Sequence, residues 1–108
     1  MSKTGEKLPQ IEMECEQDNF EATIEKLKDI QPEFITISAS RQNDDSVLLV
    51  YFFRENKRLI SLKVVIKDGS IQSLYSTFGM ADFIEREINS LFGIKFIGHP
   101  NLDRKNTQ

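Results

Sequence analysis

The stretch from Asp82 to Arg104 gathers residue types that chemistry uses. Asp82, Glu85, Arg86 and Glu87 fall inside a helical pattern, and His99, the only histidine of the chain, follows in a Gly-His-Pro loop. A carboxylate and an imidazole this close could serve as general acid and base. Such a pair needs company: a nucleophile, a metal cluster or a phosphate-cradling glycine loop, and none accompanies it. With one histidine and one cysteine, Cys15, the chain offers no multi-cysteine metal site and no intramolecular disulfide. The same residues can instead hold one protein against another.

At about 100° per residue, a helix from Met80 to Leu91 places Met80, Phe83, Ile84, Ile88 and Leu91 on one side. Asp82, Glu85 and Asn89 fall on the other, with Arg86 and Ser90 on a flank. Glu87 projects between Met80 and Phe83, inside the apolar stripe. A carboxylate there is costly unless it is paired or hydrogen-bonded. Glu87 can reach water at the stripe's edge, serve catalysis, or anchor the structure by accepting hydrogen bonds from the following loop. We expect the anchor, with Glu85 facing outward. The loop after the helix carries Leu91, Phe92, Ile94, Phe96 and Ile97, more apolar surface than a solvent loop needs, which marks a partner surface. Gly93 and Gly98 permit unusual backbone angles there, and Pro100 holds His99 extended.

The elements that position this stretch follow from periodicity. "IEMEC", Ile11 to Cys15, alternates as a half-buried strand. "DNFEATIEKLKDI" reads as a helix burying Phe20, Ile24 and Leu27, capped by Asp18 with Glu21 as return partner and stopped by Pro32. Phe34–Ser40, Ser46–Arg54 and Arg58–Lys67 read as three strands joined by short polar links, hence an antiparallel meander. The middle one is apolar on both faces, as a central strand is. A turn at Asp68-Gly69 and a short strand near Ile71–Tyr75 lead into the last helix. The expected fold is α+β, in the order β-α-β-β-β-(β)-α: one mostly antiparallel sheet with both helices on one face.

At 108 residues the chain suits one domain, with 1–9 a loose arm, 10–104 the domain and 105–108 a tail. A net charge of −3 argues against a nucleic-acid partner, which would need a basic face. "VYFFR" puts aromatics on a strand but lacks the glycine-bearing motif of an RNA-binding sheet. The N-terminus lacks the apolar core of a signal peptide, and the longest apolar run, Val47 to Phe53, is too short to span a bilayer, so no direct membrane insertion is expected.

"EREINSLFGIKFIGHPNLDR" resembles the signature of the 30-kilodalton (C-type) subunit of respiratory complex I. It equally resembles the related subunits of energy-converting membrane-bound nickel–iron hydrogenases and formate hydrogenlyase. Glu85, Arg86, Glu87, Leu91, Phe92, Gly93, Gly98, His99, Pro100, Leu102 and Arg104 match, and "IQSLYSTFGMADFIERE" fits upstream. The likeness runs from about Ile11 to Arg104. Ser90 stands where the family carries an acidic residue and Asp103 where it often carries an arginine. The chain ends soon after Lys105 and Asn106, which favours a compact hydrogenase-type subunit.

This resemblance implies a cofactor-free structural subunit, with no metal, flavin or iron–sulfur cluster. It would not be an enzyme by itself but part of an oxidoreductase complex that couples electron transfer to ion translocation. Its partners would be the large subunit (D-type in complex I, nickel–iron-bearing in a hydrogenase) and the neighbouring iron–sulfur small subunit. It would sit in the cytoplasm, peripheral on the inner face of the membrane. The expected interface is Glu85, Arg86, Phe92, Ile94, Phe96, Gly98, His99, Pro100 and Arg104, with Glu87 the structural anchor. Two other readings stand beside it: an enzyme using Glu85 or Glu87 with His99, and a free-standing adaptor on the same fold with an unrelated partner.

Overall fold

A computed structural model describes residues 9–100. Its centre is β3 (Val47–Glu55), whose inward residues Val47, Leu49, Tyr51 and Phe53 are buried. Period-two alternation puts these four on one face of the pleat. β2 (Glu33–Arg41) and β4 (Arg58–Ile66) flank it antiparallel, as the short links require. Between β3 and β4 the turn residue Asn56 takes φ +57°, a left-handed angle that asparagine tolerates, and Arg58 closes the turn by pairing with Glu55.

β1 (Gln10–Glu14) adds to β4 in parallel, with Ile11 opposite Ile60 and Met13 opposite Leu62, giving the order β1-β4-β3-β2. The carbonyl of Pro9 extends that edge by accepting the Leu59 amide at 2.9 Å. The rest of the expected arm and all of the tail lie outside the described residues, as does Arg104.

The α+β class and the meander agree with the sequence reading, but the single sheet does not. β5 (Ser70–Gln72) leaves the main sheet and pairs in parallel with β6 (Lys95–Ile97). The cause is topological: parallel neighbours need a crossover, and the helix between them, α2 (Asp82–Phe92), supplies it. The segment expected to be a partner loop is therefore partly a strand.

α1 (Phe20–Lys28) buries Phe20, Ile24 and Leu27, as their spacing predicts. Asp18 does not cap it; a 3-10 turn over Gln17–Asn19 precedes the helix and contains Asp18, and Asn19 stands at the N-cap without a side-chain bond. Gln17 instead ties this turn to the β4–β5 link, donating to Asp68 Oδ1 and to the Ser70 carbonyl, both at 2.6 Å. Phe20 packs on Tyr51 with ring centroids 5.0 Å apart, and Ile88 of α2 joins the same core, so both helices cover the face of the sheet that carries Tyr51. α2 ends at Gly93, whose φ of +75° and amide bond to the Asn89 carbonyl at 2.9 Å make a left-handed C-terminal cap.

Candidate docking site on the second helix

α2, together with the 3-10 turn Gly79–Ala81 that leads into it, carries two stripes. Ala81 and Ile88, with the carboxylate Glu85 between them, form the buried one. Met80, Phe83 and Leu91 form the other, at spacings of three and eight residues, and are 82%, 62% and 71% exposed. Glu87 is exposed on that same side. The helical wheel grouped Glu87 with Met80 and Phe83 correctly but turned the group toward the wrong side.

The expectation that Glu87 is the buried anchor and Glu85 the outward contact is therefore corrected. Glu85 is fully buried. Its Oε1 accepts the Ser73 hydroxyl at 2.6 Å and its Oε2 accepts the Leu74 amide at 2.7 Å. Ser73 Oγ in turn accepts the Tyr75 amide at 3.0 Å. A buried carboxylate is tolerable when donors meet both of its oxygens, as here. Burial pushes the Glu85 carboxyl above the ordinary glutamate range; the Leu74 and Ser73 hydrogen bonds, and then His99, pull it back part of the way. The carboxylate thus fastens the β5–α2 strap (73–78) to the helix.

A second tie fixes the end of β6. His99 is fully buried, with Nε2 2.8 Å from Asp82 Oδ1 and its ring 5.5 Å from that of Tyr75. Arg86 Nε donates to the same Asp82 oxygen at 3.1 Å, and the Arg86 guanidinium lies 5.9 Å from the Phe83 ring. Arg86 first, and His99 after it, hold the Asp82 carboxyl below the usual aspartate range. A third tie is Asn89 Nδ2, which donates to the Ile94 carbonyl at 2.8 Å.

These ties decide which expected interface residues can touch anything. Glu85, Ile94, Phe96 and His99 are buried and cannot meet a partner on this surface. Only part of the loop's apolar excess goes inward: Ile94 and Phe96 are buried, whereas Leu91 stays exposed and β6 alternation points Lys95 and Ile97 out. Arg86 and Gly98 are exposed, and Phe92 and Pro100 are half-buried. The sequence reading missed Ser73, whose role depends on a strap conformation that no periodicity encodes. It also missed Tyr75, which is 40% exposed beside the same tie. No set of three His, Cys, Asp or Glu side chains among the described residues could hold a metal ion.

The family described as the respiratory-chain NADH dehydrogenase 30 Kd subunit matches residues 13–108. The chain belongs to this family. The C subunit of NADH-quinone oxidoreductase from Hydrogenovibrio crunogenus is 43% identical over 53 residues, covering 46% of this chain and 24% of that protein. The J subunit of the NAD(P)H-quinone oxidoreductase of Prochlorococcus marinus is 45% identical over 53 residues, 46% of this chain and 30% of that one. The C/D subunit of NADH-quinone oxidoreductase from Proteus mirabilis is 40% identical over 63 residues, covering 56% of this chain and 10% of that protein. The matched stretch thus spans less than a third of each of these curated relatives.

Two solved structures share the fold of this 30 Kd-subunit family member. A trypsin-resistant fragment of Nqo5 aligns with TM-score 0.75 at 18% identity, covering 84% of this chain and 81% of the fragment. A chain of an archaeal membrane-bound sulfane sulfur reductase complex aligns with TM-score 0.79 at 16% identity, covering 93% of this chain and 64% of that one.

Proposed function

We propose that the chain is a subunit of the peripheral arm of a complex I-like oxidoreductase, of NADH:quinone or membrane-bound hydrogenase type. It is not catalytic by itself, and it docks on the large, D-type subunit through the outward stripe of α2. The observation that carries this is the exposure of Met80, Phe83 and Leu91 on a helix whose opposite stripe is fastened into the core. Large apolar side chains grouped on a rigid element mark a protein contact, and the exposed Arg86 lies beside Phe83 among them. The Proteus mirabilis relative supports the choice of partner, since its C/D name joins both subunits in one protein. Among the described residues no helix is long and apolar enough to cross a membrane, which suits a peripheral place on such a complex.

Purification of the tagged chain from the native membranes of its host tests the reading. The large subunit should accompany the wild-type chain and be lost with Phe83→Asp, which places a charge on an exposed site and leaves the fold intact. A chain recovered with an unrelated partner would support the free-standing adaptor instead. Retention of the large subunit by Phe83→Asp would place the interface elsewhere.

A further inference from the structure

The contacts between the strap and α2 form an unbroken series. The Tyr75 ring lies 5.5 Å from the His99 ring, His99 Nε2 is 2.8 Å from Asp82 Oδ1, and Arg86 Nε donates to that oxygen at 3.1 Å. The Arg86 guanidinium then sits 5.9 Å from the Phe83 ring. The two ends of the series, Tyr75 and Phe83, are both exposed, while its middle, His99, is fully buried.

We propose that Tyr75, Arg86 and Phe83 form one anchor set for the large subunit, and that buried His99 is the positioning residue that sets it from behind. The inference rests on the docking reading above and extends the interface off the helix onto the strap. Tyrosine and arginine are enriched among the few side chains that carry most of an interface's affinity, and aromatic side chains are enriched at interface cores generally. An arginine costs less to immobilise when a carboxylate already fixes its fork. Asp82 does this here, and Asp82 Oδ1 itself lies 2.8 Å from Nε2 of the fully buried His99. The same imidazole supports the Tyr75 ring, so one buried residue sets the spacing between an anchor on the strap and one on the helix. Glu85 secures the strap through Ser73 and Leu74, and Ser73 Oγ accepts the Tyr75 amide at 3.0 Å, which ties the Tyr75 backbone to the same carboxylate.

The test measures affinity for the purified large subunit alongside the melting temperature of each variant. Tyr75→Ala should weaken binding about tenfold or more with little change in melting temperature. Asp82→Asn, at the surface, should weaken binding about threefold to tenfold. Its effect should be strongly non-additive with Arg86→Ala, since both remove the same positioned fork. His99→Gln, if it folds, should show the same coupling to Arg86→Ala; Asp82→Asn carries the test if it does not.

Binding of Tyr75→Ala within twofold of wild type, while Phe83→Asp abolishes it, would remove the strap from the interface and overturn the inference while leaving the docking reading intact. Additive effects of Asp82→Asn and Arg86→Ala would break the series at Asp82, and additive effects of a folded His99→Gln and Arg86→Ala would overturn the positioning role of His99. Unchanged binding by Phe83→Asp would overturn the docking reading itself.

Discussion

Ser73 Oγ donates to Glu85 Oε1 at 2.6 Å, and the next amide, that of Leu74, donates to Oε2 at 2.7 Å. Two adjacent donors on one strap thus meet the two oxygens of one buried carboxylate on α2. Glu85→Ala would leave both donors without an acceptor inside the core. The expected cost is roughly 1–3 kcal/mol of stability. Glu87→Ala, on the exposed side, should change stability by less than about 0.5 kcal/mol. Urea denaturation of the two variants measures both, and equal losses would contradict the assignment of the two faces.

The pH dependence of stability has opposite signs at Glu85 and Asp82. Burial raises the Glu85 carboxyl above its unfolded value, about 4.3, so its share of stability is full below that value. That share is lost as pH rises through the folded value. Arg86 lowers the Asp82 carboxyl, so its share is present above the unfolded value, about 3.9, and is lost as pH falls through the folded one. Glu85→Gln should therefore gain on wild type as pH rises from acid toward neutral, and Asp82→Asn should lose. The amide can accept from Leu74 and donate to Ser73 Oγ, so Glu85→Gln should fold. Parallel pH profiles for wild type and Glu85→Gln would contradict the burial effect.

The helix that matters most shows both how far the sequence could be read and where it stopped. Periodicity was enough for α1, because Phe20, Ile24 and Leu27 are its only apolar stripe. It was enough for the β2–β3–β4 meander, because short polar links leave no other pairing. On α2 it merged two stripes into one, grouping Ile88 with Met80, Phe83 and Leu91 although only Ile88 enters the core, and it set Glu85 apart from the buried side it occupies. The burial of Glu85 was hidden for another reason: what makes a buried carboxylate tolerable is a hydroxyl and an amide some eleven residues away, in an irregular strap. β6 has three residues, too few for alternation to register, and it exists because the α2 crossover returns the chain beside β5.

Phe96 and Phe83 should now exchange the roles their positions in the sequence assigned. Phe96 is fully buried, so Phe96→Asp should abolish folding of the isolated chain, and Phe96→Ala should cost about 3–5 kcal/mol. Phe83→Asp should leave the circular dichroism spectrum and melting temperature near those of wild type. A folded Phe96→Asp chain would mean that β6 is not part of the core.

Tyr51 Oη is buried and has no hydrogen-bond partner among the described residues. Burial first, and then the charges of Glu85 and Cys15, push its phenol well above the ordinary tyrosine range. A hydroxyl in that position contributes packing but no bond. Tyr51→Phe should be neutral or stabilising, by up to about 1 kcal/mol, in a thermal melt. A loss of stability of that size would reveal a partner for the hydroxyl, such as a buried water shared with Glu85.

The central claim is that the outward stripe of α2 faces the large, D-type subunit. A photo-activatable amino acid placed at Phe83, and separately at Val65 on the open sheet face, tests it most directly when irradiated in native membranes and followed by mass spectrometry of the adducts. The account predicts that the residue at position 83 captures the large subunit and that the one at position 65 does not. Capture of the large subunit from position 65 alone would contradict it.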